Sequence, residues 1–319
     1  MDKEIITEVK KVNDFLRTKY NQINKYSRDE IREIMKNVGE LIQVKKLTSN
    51  ELIDIKNKGG VVGIDGSTNT FGGAYPHYIQ LFQAVASFGI NEEENIKITD
   101  FYCPLVDEST INEEKNIKDS KLASIEIEVA IKSTEKNPHI VLLDGSLIRY
   151  KILCDEKWEE LKKIAEEKNI ILVGVIEDIK TSVTYDNISG KDSNNTTNNI
   201  IYDRELLFNK LEYLESLYID KKESGKDEYG FRSAFLRSSK APTIIAVDIL
   251  EEQEENLQKI LSLIASITDV NSRGIPFILD LADVQTRISD ETIEQMIKMY
   301  IDTEFYEKLF NAQRFKRSF

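Results

Sequence analysis

Apolar positions along the chain follow two different periods. Near the N-terminus, Ile5, Val9, Val12, Leu16 and Ile23 recur at three-, four- and seven-residue steps, the narrow stripe of a helix that meets another helix. Ser27 with Glu30 three residues on predicts a capping box. Ile31, Ile34, Met35, Val38, Leu41 and Ile42 continue a second helix. Residues 1–58 therefore read as an N-terminal helical arm, packed on its own domain or on a second chain. Lys58-Gly59-Gly60 closes the arm, and residues 59–319 read as the main domain.

Beyond residue 60 the apolar positions form runs rather than stripes. Val61-Val62-Gly63-Ile64 predicts a buried strand that ends at Asp65, with a turn over 68–76. Strands are expected over 78–88 and 96–106, joined by the polar loop Asn91-Glu92-Glu93-Glu94-Asn95. A helix over 121–136 precedes a fourth strand ending at Asp144. An amphipathic helix over 155–168 carries the only tryptophan, Trp158, and a fifth strand spans 169–176. Residues 187–199 are Ser, Gly, Asn and Thr with almost nothing apolar, which predicts a loop. Helix is then expected over 202–218, strands over 231–236 and 242–249, and helix over 256–266. Residues 276–283 pass from extended to helical, and Asp290 is expected to cap the last helix. Three strands joined by short loops predict an antiparallel meander, and the later strand–helix–strand units predict parallel neighbours. This α/β order, β-β-β-α-β-α-β, is that of an RNase H-like mixed β-sheet flanked by helices.

Two strand ends repeat one motif: Ile64-Asp65-Gly66-Ser67 and Leu143-Asp144-Gly145-Ser146. Two carboxylates side by side repel unless a cation lies between them or one is protonated. A helix before the fourth strand offers a third carboxylate from Ile125-Glu126-Ile127-Glu128. Glu126 shares its stripe with Leu122, Val129, Ala130 and Ser133, whereas Glu128 shares a solvated face with Lys121, Ser124 and Lys132. An inward charge needs a partner, so Glu126 is the choice. A fourth acid comes from residues 276–283, where Asp283 is preferred over Asp280. All-oxygen donors suit Mg²⁺ or Mn²⁺ rather than zinc. Two such ions clamp the attacking and leaving oxygens of a phosphoryl displacement. Lys180, after the fifth strand, is placed to hold a phosphate, with Ser182 beside it. Ser67 and Ser146 are further substrate-contact candidates, caps of their turns, or hydrogen-bond donors to the carboxylates.

Composition narrows the picture. The 319 residues carry a formal net charge of −13, which argues against wrapping nucleic acid with the whole surface but not against a local basic groove. Cys103 and Cys154 form no C-x-x-C pair, which fits a reducing, cytoplasmic compartment. No signal-like apolar segment opens the chain, no apolar run is long enough to span a membrane, and the sequons at Asn187 and Asn195 carry no weight. Two histidines nearly exclude catalysis by several imidazoles. Arg314, Lys316 and Arg317 form a basic tail.

Taken with the paired motifs, the Glu126 helix, Gly174 to Ser182 with Lys180, and Pro276 to Asp283, the sequence resembles the NurA nuclease family from residue 59 to about 290. The resemblance implies an RNase H-like fold, Mn²⁺-dependent cleavage of single- and double-stranded DNA, and 5′-to-3′ exonuclease activity. It also implies a homodimer and partnership with the HerA hexameric DNA-pumping ATPase at DNA ends. By motif match, Asp65, Glu126, Asp144 and Asp283 take the metal-ligand roles. Glu177 and Asp178 upstream of Lys180 depart from the family's usual spelling. An actin-like ATPase is the main rival, since Gly63 to Thr70 is similar to its first phosphate loop, but that loop has a residue between Asp and Gly. An aspartyl-phosphate phosphatase would need a second Asp where Ser67 stands, and a partner-binding subunit without activity is the third alternative.

Overall fold

The computed structural model describes residues 2–21, 23–107, 110–189 and 201–310. Most of the polar tract 187–199 and the basic tail at Arg314, Lys316 and Arg317 lie outside them. Helices α1 (Lys3–Tyr20) and α2 (Arg28–Val38) lead into β1 (Gly39–Gln43), and α3 (Ser49–Asn57) follows. A meander β2 (Val61–Gly72), β3 (Tyr78–Ser87), β4 (Ile96–Tyr102) runs on through α4 (Pro104–Asp107) to α5 (Glu114–Ser133). Then come β5 (Ile140–Asp144), α6 (Leu147–Leu153), α7 (Asp155–Lys168), β6 (Ile171–Ile176), α8 (Val183–Ser189) and α9 (Asp203–Leu206). There follow β7 (Glu215–Ile219), β8 (Phe231–Leu236), β9 (Ile245–Leu250), α10 (Leu257–Ser266), α11 (Phe277–Thr286), α12 (Asp290–Tyr300) and short helical turns over Thr303–Phe305 and Tyr306–Phe310.

The strands form one mixed sheet in the order β1-β7-β8-β9-β6-β5-β2-β3-β4. β2, β5 and β6 are parallel neighbours, and the other pairs are antiparallel. Alternation along β2 and β5 decides which face each residue serves. Val62, Ile64, Val141 and Leu143 join Ile127 of α5 and Trp158 of α7 in one core. Leu142 and Val173 face the other way, onto α10 and Leu279 of α11. Asp65 and Asp144 follow Ile64 and Leu143, so both belong to the α11 face.

Several sequence expectations need correction. The second helix stops at Val38 rather than running to Ile42, because the backbone of Gly39–Gln43 completes a ladder on the edge of β7. Strand β2 does not end at Asp65; it continues to Gly72 as one arm of a hairpin, with Gly72 opposite Tyr78. The 68–76 turn thereby shrinks. The third strand stops at Tyr102. Residues 202–218 are not one helix: Asn209 and Leu214 adopt left-handed backbone angles, φ 58° and 62°, which end a right-handed helix, and residues from Glu215 enter the sheet. Residues 276–283 are already helical from Phe277. Ser289, not Asp290, caps the last helix by accepting the Thr292 amide, while Asp290 accepts from the Asn69 side chain at 2.8 Å.

Candidate active site

Strand lengths create the site. β2 pairs with β5 only through Ile64 opposite Leu143. β5 stops one residue later at Asp144, while β2 runs on to Gly72. The β5 side of β2 is therefore open just where Asp65 sits, and helices packed on both faces of the sheet border this notch. Asp65 comes from β2, Asp144 from the end of β5, Glu126 from α5 on one face and Asp283 from α11 on the other.

Glu126 is 2% exposed, because a residue of the inward stripe of α5 lies over β2 at Gly66. A Cβ on Gly66 would sit 2.6 Å from Glu126 Oε1, so the glycine of the first motif makes room for the glutamate. The other oxygen, Oε2, accepts from Arg149 of α6 at 2.7 Å. Glu128, by contrast, lies outside, between Lys132 and Lys157 at 3.2 and 2.9 Å.

On the opposite face, Asp283 pairs with Arg287 one turn along α11. The C-terminal end of α11 is fastened to β2: Ser67 Oγ donates to the Thr286 carbonyl at 2.6 Å, and Thr286 Oγ1 donates back to the Asp283 carbonyl at 2.8 Å. Asp280 points elsewhere, to Arg273 at 2.8 Å.

Electrostatics couple these four acids. Burial first, then Asp144 and Glu126, push the Asp65 carboxyl up to about 8, with Asp283 adding to the rise. Burial raises Glu126 to about 7 against the lowering pull of Arg149. Burial raises Asp144 to about 6, with Arg273 pulling down and Glu177 and Asp283 pushing up. Such clustering of raised carboxyls marks a place where negative charge awaits a positive partner.

Among the described residues, no three His, Cys, Asp or Glu side chains are already drawn together as a metal cage. The donors are nonetheless hard oxygens, and their mutual repulsion is the load that a divalent cation relieves, so the set fits Mg²⁺ or Mn²⁺. Arg149 meanwhile holds Glu126 at its place.

Beside Asp144 opens a cleft of about 590 Å³ lined by Ser146, Arg149, Lys180, Thr181 and Lys226 among others. Lys180 is exposed there. Ser182 sits at the entry to α8 and donates to Asp186 at 3.0 Å. Ser146 Oγ donates to the Asp248 carboxylate at 2.6 Å. The sequence reading missed Arg149 and Asp248. Asp248 had a signal, a lone charge inside the apolar run 244–250.

Residues 65–70, the phosphate-loop alternative, lie in an extended ladder with β3 rather than in a turn.

A sequence profile of the NurA domain matches residues 59–288. The chain belongs to the NurA family, a family of nucleases. The NurA assignment agrees with the fold. A crystal structure of NurA bound to dAMP and manganese is similar over 93% of this chain and 97% of that one, at 11% identity and a TM-score of 0.54. The catalytic domain of human endonuclease V matches 85% of this chain and 96% of its own, at 14% identity and a TM-score of 0.39. Drosophila Piwi matches 71% of this chain and 29% of its own, at 10% identity and a TM-score of 0.35. Among curated proteins nothing matches. The chain thus carries a nine-stranded mixed sheet flanked by helices. Among the described residues no helix is long and apolar enough to cross a membrane.

Proposed function

We propose that this NurA-family chain is a metal-dependent deoxyribonuclease that hydrolyses phosphodiester bonds at DNA ends. What supports this reading is that β2, β5, α5 and α11 border one notch where β5 stops and each carries an acid, and that Asp144, Glu126 and Asp283 add to burial in raising the Asp65 carboxyl to about 8. These four side chains would hold one or two Mn²⁺ or Mg²⁺ ions. When bound, such ions supply Lewis-acid stabilisation of the scissile phosphate and an acidified water.

The protein's own groups do the rest. Arg149 orients Glu126 and keeps its charge tolerable in a buried place. Ser67 holds the end of α11, and with it Asp283, against β2. Lys180 and Ser182 contact the DNA phosphates along the cleft beside Asp144, a local basic element on an acidic protein. Residues 59–319 carry the nuclease site, and of residues 1–58 the segment Gly39–Gln43 adds the edge strand to the same sheet. Family membership supports the finer reading: 5′-to-3′ exonuclease and single-strand endonuclease activity, a homodimer, a HerA-type ATPase as partner in double-strand break repair, and a cytoplasmic location.

Incubation of the chain with labelled linear DNA and Mn²⁺, Mg²⁺ or EDTA, with ATP hydrolysis followed in parallel, tests the proposal. Metal-dependent loss of DNA that vanishes in Asp65→Asn and Asp144→Asn is expected. ATP turnover without DNA loss would overturn it.

A further inference from the structure

Asp248 on β9 is fully buried and belongs to none of the four acids of the notch. Its carboxylate accepts from Lys226 Nζ at 2.6 and 2.7 Å, from Ser233 Oγ at 2.7 Å and from Ser146 Oγ at 2.6 Å. A buried carboxylate is tolerated only when its lone pairs are so engaged, and three of these bonds balance the charge locally. The fourth reaches out to the second Asp-Gly-Ser motif.

The surrounding backbone shows what that bond restrains. Gly174 of β6 lies opposite Leu143 on one side and Asp248 on the other. A Cβ on Gly174 would sit 2.6 Å from the Gly145 carbonyl and 3.2 Å from the Leu147 amide. The Asp144-Gly145-Ser146 turn therefore folds down into the space that Gly174 leaves, and the Gly145 amide donates to the Val175 carbonyl at 2.8 Å. Ser146 stands at the N-cap position of α6, yet its hydroxyl caps no amide of that helix. A simple capping role would send Oγ to the α6 backbone; here it goes to Asp248.

We propose that Asp248 is a positioning residue: held by Lys226 and Ser233, it locks Ser146 and so fixes the turn that aims the Asp144 carboxylate into the notch. This rests on the nuclease reading for its consequence, but the lock itself is a property of the metal-free chain. Partners that orient metal-binding side chains carry about 10- to 100-fold effects on affinity or rate.

The test uses the full chain with Ser146→Ala, Ser146→Thr and Asp248→Asn, and three readouts. In the metal-free protein, amide exchange at Gly145 should rise about tenfold in Ser146→Ala and return toward wild type in Ser146→Thr, which keeps the hydroxyl. Mn²⁺ affinity, read by electron paramagnetic resonance, should fall about tenfold in Ser146→Ala and Asp248→Asn. On linear DNA with Mn²⁺, kcat should fall about tenfold with KM within about twofold of wild type. Should Asp248→Asn fail to fold by near-ultraviolet circular dichroism, Asp248→Asn/Lys226→Met, which leaves no unpaired buried charge, replaces it with the same expectation. Unchanged Gly145 exchange and unchanged Mn²⁺ affinity in Ser146→Ala would overturn the proposal, as would a rise in KM with kcat intact, which would make Ser146 a DNA contact. Wild-type protein that cleaves no DNA while Gly145 exchange still responds to Ser146→Ala would sink the nuclease reading and leave the lock standing.

Discussion

The carboxylate of Glu126 occupies the space a side chain on Gly66 would fill, with Oε1 2.6 Å from that Cβ position. The glycine beside Asp65 is thus explained by a residue of α5, and not by turn geometry, since β2 runs straight through it. Gly66→Ala should keep the fold but displace Glu126 from the notch. We expect DNA cleavage to fall by at least about 100-fold, with stability lowered only by the strain of one buried methyl, about 1–3 kcal/mol. Cleavage rates and thermal melts on the same preparation check this; wild-type cleavage by the Gly66→Ala chain would contradict it.

Glu126 and Glu128 should separate cleanly. Glu126 is 2% exposed and bonded to Arg149, whereas Glu128 bridges two surface lysines. Glu126→Gln should abolish metal-dependent cleavage, and Glu128→Gln should leave it within about twofold while costing at most about 1 kcal/mol of stability. A reversal of the two phenotypes in a cleavage assay would show that the inward stripe of α5 does not select the functional glutamate.

Helical periodicity alone makes that choice legible in the sequence, and the register of two apolar runs likewise places Asp65 and Asp144 side by side. What the sequence hid was set by distant chain. Thr68 to Gly72 reads as a turn until Tyr78 to Phe82 pairs with it across the hairpin. Glu215 to Tyr218 reads as the end of a helix, yet Arg32 of α2 reaches over to bind the Glu215 carboxylate at 2.7 Å and the segment enters the sheet. Arg149 looks like one more surface base until α6 folds it onto Glu126. Such pairings depend on which elements become neighbours, and no local pattern reports that.

Lys180 stands exposed at the rim of the cleft that holds Asp144. A phosphate contact there contributes charge but little shape. Lys180→Ala should therefore raise KM for DNA several-fold, about fivefold or more, and flatten the salt dependence of binding by about one unit of slope. Fluorescence anisotropy of labelled DNA across a salt series measures the slope, and steady-state cleavage measures KM. A loss of kcat with the slope unchanged would assign Lys180 to the reacting phosphate instead.

The raised carboxyls make the metal-free protein sensitive to pH in a defined direction. Asp65 moves from its ordinary value up to about 8, Glu126 to about 7 and Asp144 to about 6. A carboxyl whose folded value lies above its unfolded value binds its proton more tightly when folded. Its contribution to stability is full below the unfolded value, near pH 4, and is lost as pH rises through the folded value. Metal-free protein should then be more stable at pH 5 than at pH 8.5. Asp65→Asn, which removes the charge that its neighbours resist, should stabilise the metal-free chain at pH 8.5 by about 1–3 kcal/mol and flatten the profile between pH 5 and 8. Millimolar Mn²⁺ should raise the midpoint of wild type at pH 8.5 far more than that of Asp65→Asn, because only the ionised set binds the cation. Denaturant melts across pH, with EDTA and with Mn²⁺, read all three effects; a wild-type profile that is flat from pH 5 to 8.5 in EDTA would mean that the four acids do not crowd one another in the folded chain.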